Sequence, residues 1–160
     1  MIPVRELADS WSSLYSNSAA IRSAVAFAHV GGLVAGGGSA IAADRATLRA
    51  LGRGGSSLAA EIERLQGAHR IVLAGLATVG VSGVLLMLAN FDQYLLSPVF
   101  WIKMGLVAGL LLNGAWLALA ATRTSRGEAN SARSLRIACV TSLALWFTTT
   151  LFGTVLPNVL

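Results

Sequence analysis

An apolar run between Ser18 and Asp44, about 25 residues long, constrains this chain more than any other feature, because roughly 20 helical residues suffice to cross the hydrocarbon core of a bilayer. Three more runs of comparable apolarity follow, around 70–90, 98–121 and 135–156. Only 12% of the residues are charged, against about 25% in an ordinary soluble domain. The expected fold class is therefore all-α: an integral membrane protein forming a four-transmembrane-helix bundle, with the whole chain, 1–160, as one membrane domain.

The net charge of +5 does not point to nucleic acid. Of twelve basic residues, five fall in 44–70 (Arg45, Arg49, Arg53, Arg64, Arg70) and four in 123–136 (Arg123, Arg126, Arg133, Arg136). Short arginine-rich segments between apolar spans are the mark of cytoplasmic loops. The expected location is a bacterial inner membrane, with both termini periplasmic and the arginine-rich loops cytoplasmic. The bilayer is then the first partner, and other membrane subunits or a second copy of the chain are the next. The single cysteine, Cys139, excludes an internal disulfide framework and reads as a small packing residue. No cleavable signal peptide is expected, since the first 17 residues lack a continuous apolar core.

Along the chain, Val4, Leu7, Ala8, Trp11, Leu14 and Tyr15 recur at helical spacing with polar residues between them, predicting an amphipathic interfacial helix over 3–16. Pro3 suits its first turn. Trp11 and Tyr15 suit the headgroup level. Ser18 is placed to cap the first span, about 18–43, whose helical pattern extends to Leu51. Gly52–Ser57 is the clearest turn. Helical order resumes over 57–70 and runs into the second span, so the first two spans form a long hairpin projecting beyond the bilayer. Asn90–Ser97 reads as a short link, Ser97-Pro98 as the start of the third span, and Pro157 as the stop of the fourth.

Within this frame the costly residues stand out. His29 sits inside the first span, and an ionisable residue there is a functional candidate by default. Arg22, His29, Gly32 and Gly36 share one helix face, with Arg22 about 10 Å outward of His29 at 1.5 Å per residue. Such a glycine face serves a close helix neighbour or a flat cofactor. Gly32-x-x-x-Gly36 has the small-x-x-x-small spacing that brings helices together, and Gly105-x-x-x-Gly109 repeats it in the third span. Lys103 falls at a depth similar to Arg22. A haem b would match this set: His29 as metal ligand, Arg22 and Lys103 near the propionates, Gly32 and Gly36 against the ring. Met104, Met87 or an exogenous molecule would supply any second axial ligand. His69 is offset from His29 by roughly 15 Å at 1.5 Å per residue and reads as an interfacial residue at the cytoplasmic rim. Asn113, near mid-span, should hydrogen-bond across a helix interface. Packing alone, with both cations reaching to the headgroups, is the competing reading.

The order His29-x-x-Gly32, then Ser82-Gly83, then Pro98-x-Phe100-Trp101-x-Lys103 and Asn113 resembles the copper-resistance-D-like membrane proteins. It is also similar to the bacterial membrane-embedded protoporphyrinogen oxidases, four-helix proteins with a histidine in the first span. The likeness covers about 27–114 and lacks a tryptophan after His29 and a further intramembrane histidine. It implies a haem- or metal-related membrane bundle. The expected function is that of a small b-type haem-binding membrane protein in electron transfer or porphyrin-related redox chemistry, with cofactor contacts at His29, Arg22, Gly32, Gly36, Lys103 and Asn113. The alternatives are a non-enzymatic structural subunit of a larger membrane complex and a copper-handling or small-solute transporter.

Overall fold

A computed structural model describes residues 4–53 and 56–158. Its elements are α1 (Val4–Asn17), α2 (Ala19–Arg53), α3 (Ser56–Ala89), α4 (Phe91–Leu96), α5 (Pro98–Ser125) and α6 (Ser131–Val155), followed by a single 3₁₀ turn at Leu156–Asn158. No strand occurs among the described residues. Helices α2, α3, α5 and α6 are each long and apolar enough to cross a membrane. The chain is thus an all-α, four-span bundle with an additional N-terminal helix.

The element ends follow local chemistry. Ser18 accepts a hydrogen bond from the Ile21 backbone N–H at 3.3 Å, which caps α2 as its position predicts. Pro98 occupies the first turn of α5, where its missing N–H costs nothing. At the other end of α5, Gly127 takes a left-handed conformation with φ 71°, so that the Gly127 and Glu128 amides reach back to the Thr124 and Arg123 carbonyls. That closure is a Schellman stop, and it needs a residue without a Cβ penalty. Three boundaries differ from the sequence expectation. Helix α5 continues to Ser125 and α6 begins at Ser131, so the predicted loop over 123–136 shrinks to the stretch between them. The Asn90–Ser97 link contains a short helix, held by the Tyr94 amide on the Asn90 carbonyl and by Trp101 Nε1 on the Leu95 carbonyl at 3.0 Å. Finally α2 runs two residues past Leu51, to Arg53. Pro3 and the Gly54-Gly55 centre of the predicted turn lie outside the described residues.

Helices α2 and α3 form one hairpin and α5 and α6 a second, and α6 lies against α2. The first seam is a backbone contact. A Cβ built on Gly75 would stand 2.6 Å from the Gly36 Cα and 2.8 Å from the Gly32 carbonyl oxygen, so α2 and α3 touch where three glycines meet. One residue on, Gly37 receives the Trp146 ring of α6, 3.0 Å from where its Cβ would be. The Gly32/Gly36 face is therefore a helix-packing face closed by α3. The second predicted glycine pair is not used this way: nothing lies within 4 Å of a Cβ on Gly105, and Gly109 meets only Leu145 at 3.7 Å. Helix α5 turns Leu110, Asn113 and Leu117 inward instead.

A cluster that includes Ile62, Leu65, Leu117, Leu135 and Cys139, with Leu51 and Leu58 against it, joins the start of α3 to the α5–α6 turn. Both arginine-rich segments therefore lie at one end of the bundle. At the opposite end α1 docks on α3: Trp11 Nε1 donates to the Leu85 carbonyl at 2.8 Å and Ser12 Oγ to the Ala89 carbonyl at 2.9 Å. Trp11 is thus anchored to α3, while Leu7 and Leu14 stay 54% and 52% exposed, an apolar surface suited to a bilayer. The exposed Arg5–Asp92 ion pair, at 3.1 Å, adds little to this docking.

The seam makes a contrast of two substitutions. Gly75→Ala pushes a methyl into backbone and should destabilise the bundle by about 1–3 kcal/mol. Gly38→Ala meets nothing within 4 Å and should be neutral or stabilising, since alanine is the better helix former. Denaturant unfolding in detergent measures both, and equal effects would mean that the seam is not a backbone contact.

Candidate functional site

His29 lies on the flank of α2 that meets α3, half-buried, one turn outward of the glycine seam. Its Nδ1 is 3.0 Å from Ser82 Oγ on α3. The hydroxyl of Ser82 is itself 2.6 Å from the Thr78 carbonyl and 3.2 Å from that of Val79. A hydroxyl has one proton to give. Ser82 gives it to a carbonyl of its own helix, so toward His29 it accepts, and the proton between them is the imidazole Nδ1–H. This hydrogen-bond assignment leaves the lone pair on Nε2. Gly83 follows Ser82, and a Cβ there would be 3.4 Å from the His29 Cε1. The partner of the buried imidazole is thus a serine, and the glycine after it gives the ring room.

Lys103 is brought to the same region from α5. Its charge acts on His29 through space, and its Nζ lies 3.8 Å from where a Cβ on Gly153 of α6 would be. Among the described residues no carboxylate forms an ion pair with it. Arg22 is placed differently: its guanidinium donates to the Ser16 carbonyl and, at 3.4 Å, to the Tyr15 carbonyl. It closes the C-terminal end of α1, where a cation also meets the negative pole of that helix. Asn113 behaves as predicted for a mid-span amide, donating from Nδ2 to the Ala138 carbonyl of α6 at 3.1 Å. It stands ten residues along α5 from Lys103, about 15 Å at 1.5 Å per residue, and so belongs to the α5–α6 seam rather than to the His29 region.

A second polar locus lies toward the arginine-rich end. Asp44 of α2 is 1% exposed, and among the described residues neither of its carboxylate oxygens has a hydrogen-bond partner. Ser142 and Cys139 of α6 face it without closing a hydrogen bond of normal geometry. Asp44 and His69 line one cavity between the two hairpins. His69 is thereby more than a rim residue, although it is not near His29. Sequence reasoning assigned no role to Asp44. The available signal was spacing: Gly36, Ala40, Asp44 and Thr47 continue the buried face of α2.

Among the described residues no three His, Cys, Asp or Glu side chains converge as a metal-binding group. No known protein family, curated protein or solved structure matches the chain.

The His29–Ser82 contact predicts energetic coupling. Ser82→Ala strands the Nδ1–H and should cost about 1–3 kcal/mol. In a His29→Leu background the same change should cost clearly less, because no imidazole remains to be satisfied. Additive losses in a double-mutant cycle would show that the two side chains do not interact.

Proposed function

We propose that this chain is a small b-type haem-binding protein of a bacterial inner membrane, working in electron transfer or porphyrin-related redox chemistry. The observation that supports this is the 3.0 Å contact of His29 Nδ1 with Ser82 Oγ, which, with the Ser82 proton assigned to the Thr78 carbonyl, assigns the imidazole proton to Nδ1 and the lone pair to Nε2. A histidine oriented through its second nitrogen is the usual form of an axial ligand. Lys103, which has no ion-pair partner among the described residues, would neutralise a propionate, and Gly83 leaves the ring edge unobstructed. The bound haem would supply a one-electron iron couple, while the protein would supply the imidazole, the counter-charge and an apolar wall. The fit is partial. Gly32 and Gly36 are closed over by α3 and offer no ledge to a macrocycle, and Arg22 is engaged at the end of α1. The set that fits narrows to His29, Ser82, Gly83 and Lys103.

A second reading is favoured by the same hydrogen bond. His29 and Ser82 join α2 to α3 beside the glycine seam, so the imidazole is already satisfied as a structural group. On that reading the chain is a non-enzymatic subunit of a larger membrane complex and is colourless.

An absorption spectrum of the detergent-purified chain, as isolated and after hemin addition, separates the two. The haem reading expects a Soret band at stoichiometric loading, shifted or lost in His29→Leu and kept in His69→Leu. Lys103→Met should weaken loading without removing the iron bond. A wild type that takes up no haem leaves the structural subunit. Orientation is tested apart from the cofactor. Reporters in the Gly127–Asn130 loop and after Leu160 should read cytoplasmic and periplasmic respectively, and the reverse pair would move the His29 region to the other leaflet.

A further inference from the structure

The Asp44 cavity has chemistry of its own. Its volume is about 190 Å³, and its walls are almost wholly aliphatic apart from Asp44, His69, Ser142 and Trp146. Leu73 of α3 and Leu111 of α5 line it and are also 48% and 51% exposed on the outside of the bundle. The cavity thus opens between α3 and α5 onto the surface that faces lipid. Inside, the Asp44 carboxylate is buried, and among the described residues it has no hydrogen-bond partner of normal geometry and no ion-pair partner. A buried carboxylate in that condition requires either a proton or a counter-ion.

The surroundings decide which counter-ion. Inorganic divalent cations want six or more oxygen ligands, or a converging set of nitrogen and sulfur donors. Here one carboxylate and one hydroxyl stand among aliphatic side chains, and no third ligand converges among the described residues. An organic ammonium needs less: one carboxylate for its charge, an aromatic face, and apolar walls for its body. Trp146, 4% exposed, lines the same cavity as Asp44, and tryptophan offers the best of the aromatic faces for a cation. Size narrows the class further. Benzene fills an engineered apolar cavity of about 150 Å³ in another protein, so the volume here suits a ring plus a short aminoalkyl arm.

We propose that the cavity between the two hairpins binds a small lipophilic ammonium of about benzylamine size, with Asp44 as its counter-ion and Trp146 as its aromatic wall, entering from the bilayer between α3 and α5. The site is separate from His29: the two residues are fifteen positions apart on α2, about 22 Å at 1.5 Å per residue. It does not depend on haem.

Equilibrium binding of radiolabelled benzylammonium to the full chain in nanodiscs of zwitterionic lipid tests this. The wild type should show saturable one-to-one binding, weakened at least tenfold in Asp44→Asn and severalfold in Trp146→Leu. Benzyl alcohol, the neutral analogue, should bind Asp44→Asn at least as well as the wild type, which shows that the cavity survives the substitution. Equal ammonium binding by wild type and Asp44→Asn overturns the proposal, as does a loss confined to His69→Gln, which would move the recognition to the imidazole. An infrared carboxylic-acid band that disappears in Asp44→Asn, in a wild type that binds no ammonium, also overturns it by showing that a proton alone satisfies Asp44.

Discussion

The contact of Gly36 with Gly75 is what the rest of the bundle depends on. In a bilayer, helices gain little by hiding apolar side chains from lipid, so association rests on close packing and on polar contacts between helices. A Cβ on Gly75 would stand 2.6 Å from the Gly36 Cα, closer than side chains approach backbone, so the two helices can meet here only because the residue is glycine. It fixes the rotation of α2 about its axis, and that rotation decides every other placement on the helix. With Gly32 and Gly36 against α3, Gly37 is turned to the Trp146 ring of α6, and His29 comes within reach of Ser82. Asp44, on the same face further along, is carried into the space between the hairpins.

The architecture was legible because its causes are local. Four apolar runs of sufficient length, a serine placed to cap at Ser18 and a proline at the start of α5 each act within a few residues of themselves. The same holds for Asn113, whose mid-span amide had to find a partner on another helix. What was not legible depends on how one helix is turned toward another. Gly105 and Gly109 have the spacing of Gly32 and Gly36, yet α5 turns a different face inward, and spacing alone cannot tell a used pair from an idle one. The Asn90–Ser97 link reads as loop because six residues carry too weak a period; its helix comes from tertiary contacts, with Trp101 holding the Leu95 carbonyl.

Asp44 shows the same limit at a single residue. It is followed by Arg45, and a charged pair at the end of an apolar run reads as the edge of the membrane. Successive residues on a helix are turned by about 100°, so neighbours in sequence face different surroundings. Arg45 is exposed and Asp44 is among the most buried residues of the protein. His69, read from the sequence as an interfacial residue too far from His29 to share a ligand, stands at the height in the hairpin that lets it line a cavity with Asp44.

The two polar sites differ in one respect that bears on function. His29 is an imidazole whose donor has been given an acceptor, and the structure around it is complete without any ligand. What it retains is a lone pair, which permits coordination but does not demand it. Asp44 is the opposite case. Ser142 and Cys139 face its oxygens, but among the described residues neither closes a hydrogen bond of normal geometry, so the carboxylate is left short of donors until a proton or a cation arrives. A group that is satisfied can be kept for packing alone. A buried, unsatisfied carboxylate costs stability, and a Leu at that position would avoid the cost. On physical grounds the stronger requirement for a bound species therefore lies at Asp44, deeper among the helices than the histidine that first draws the eye.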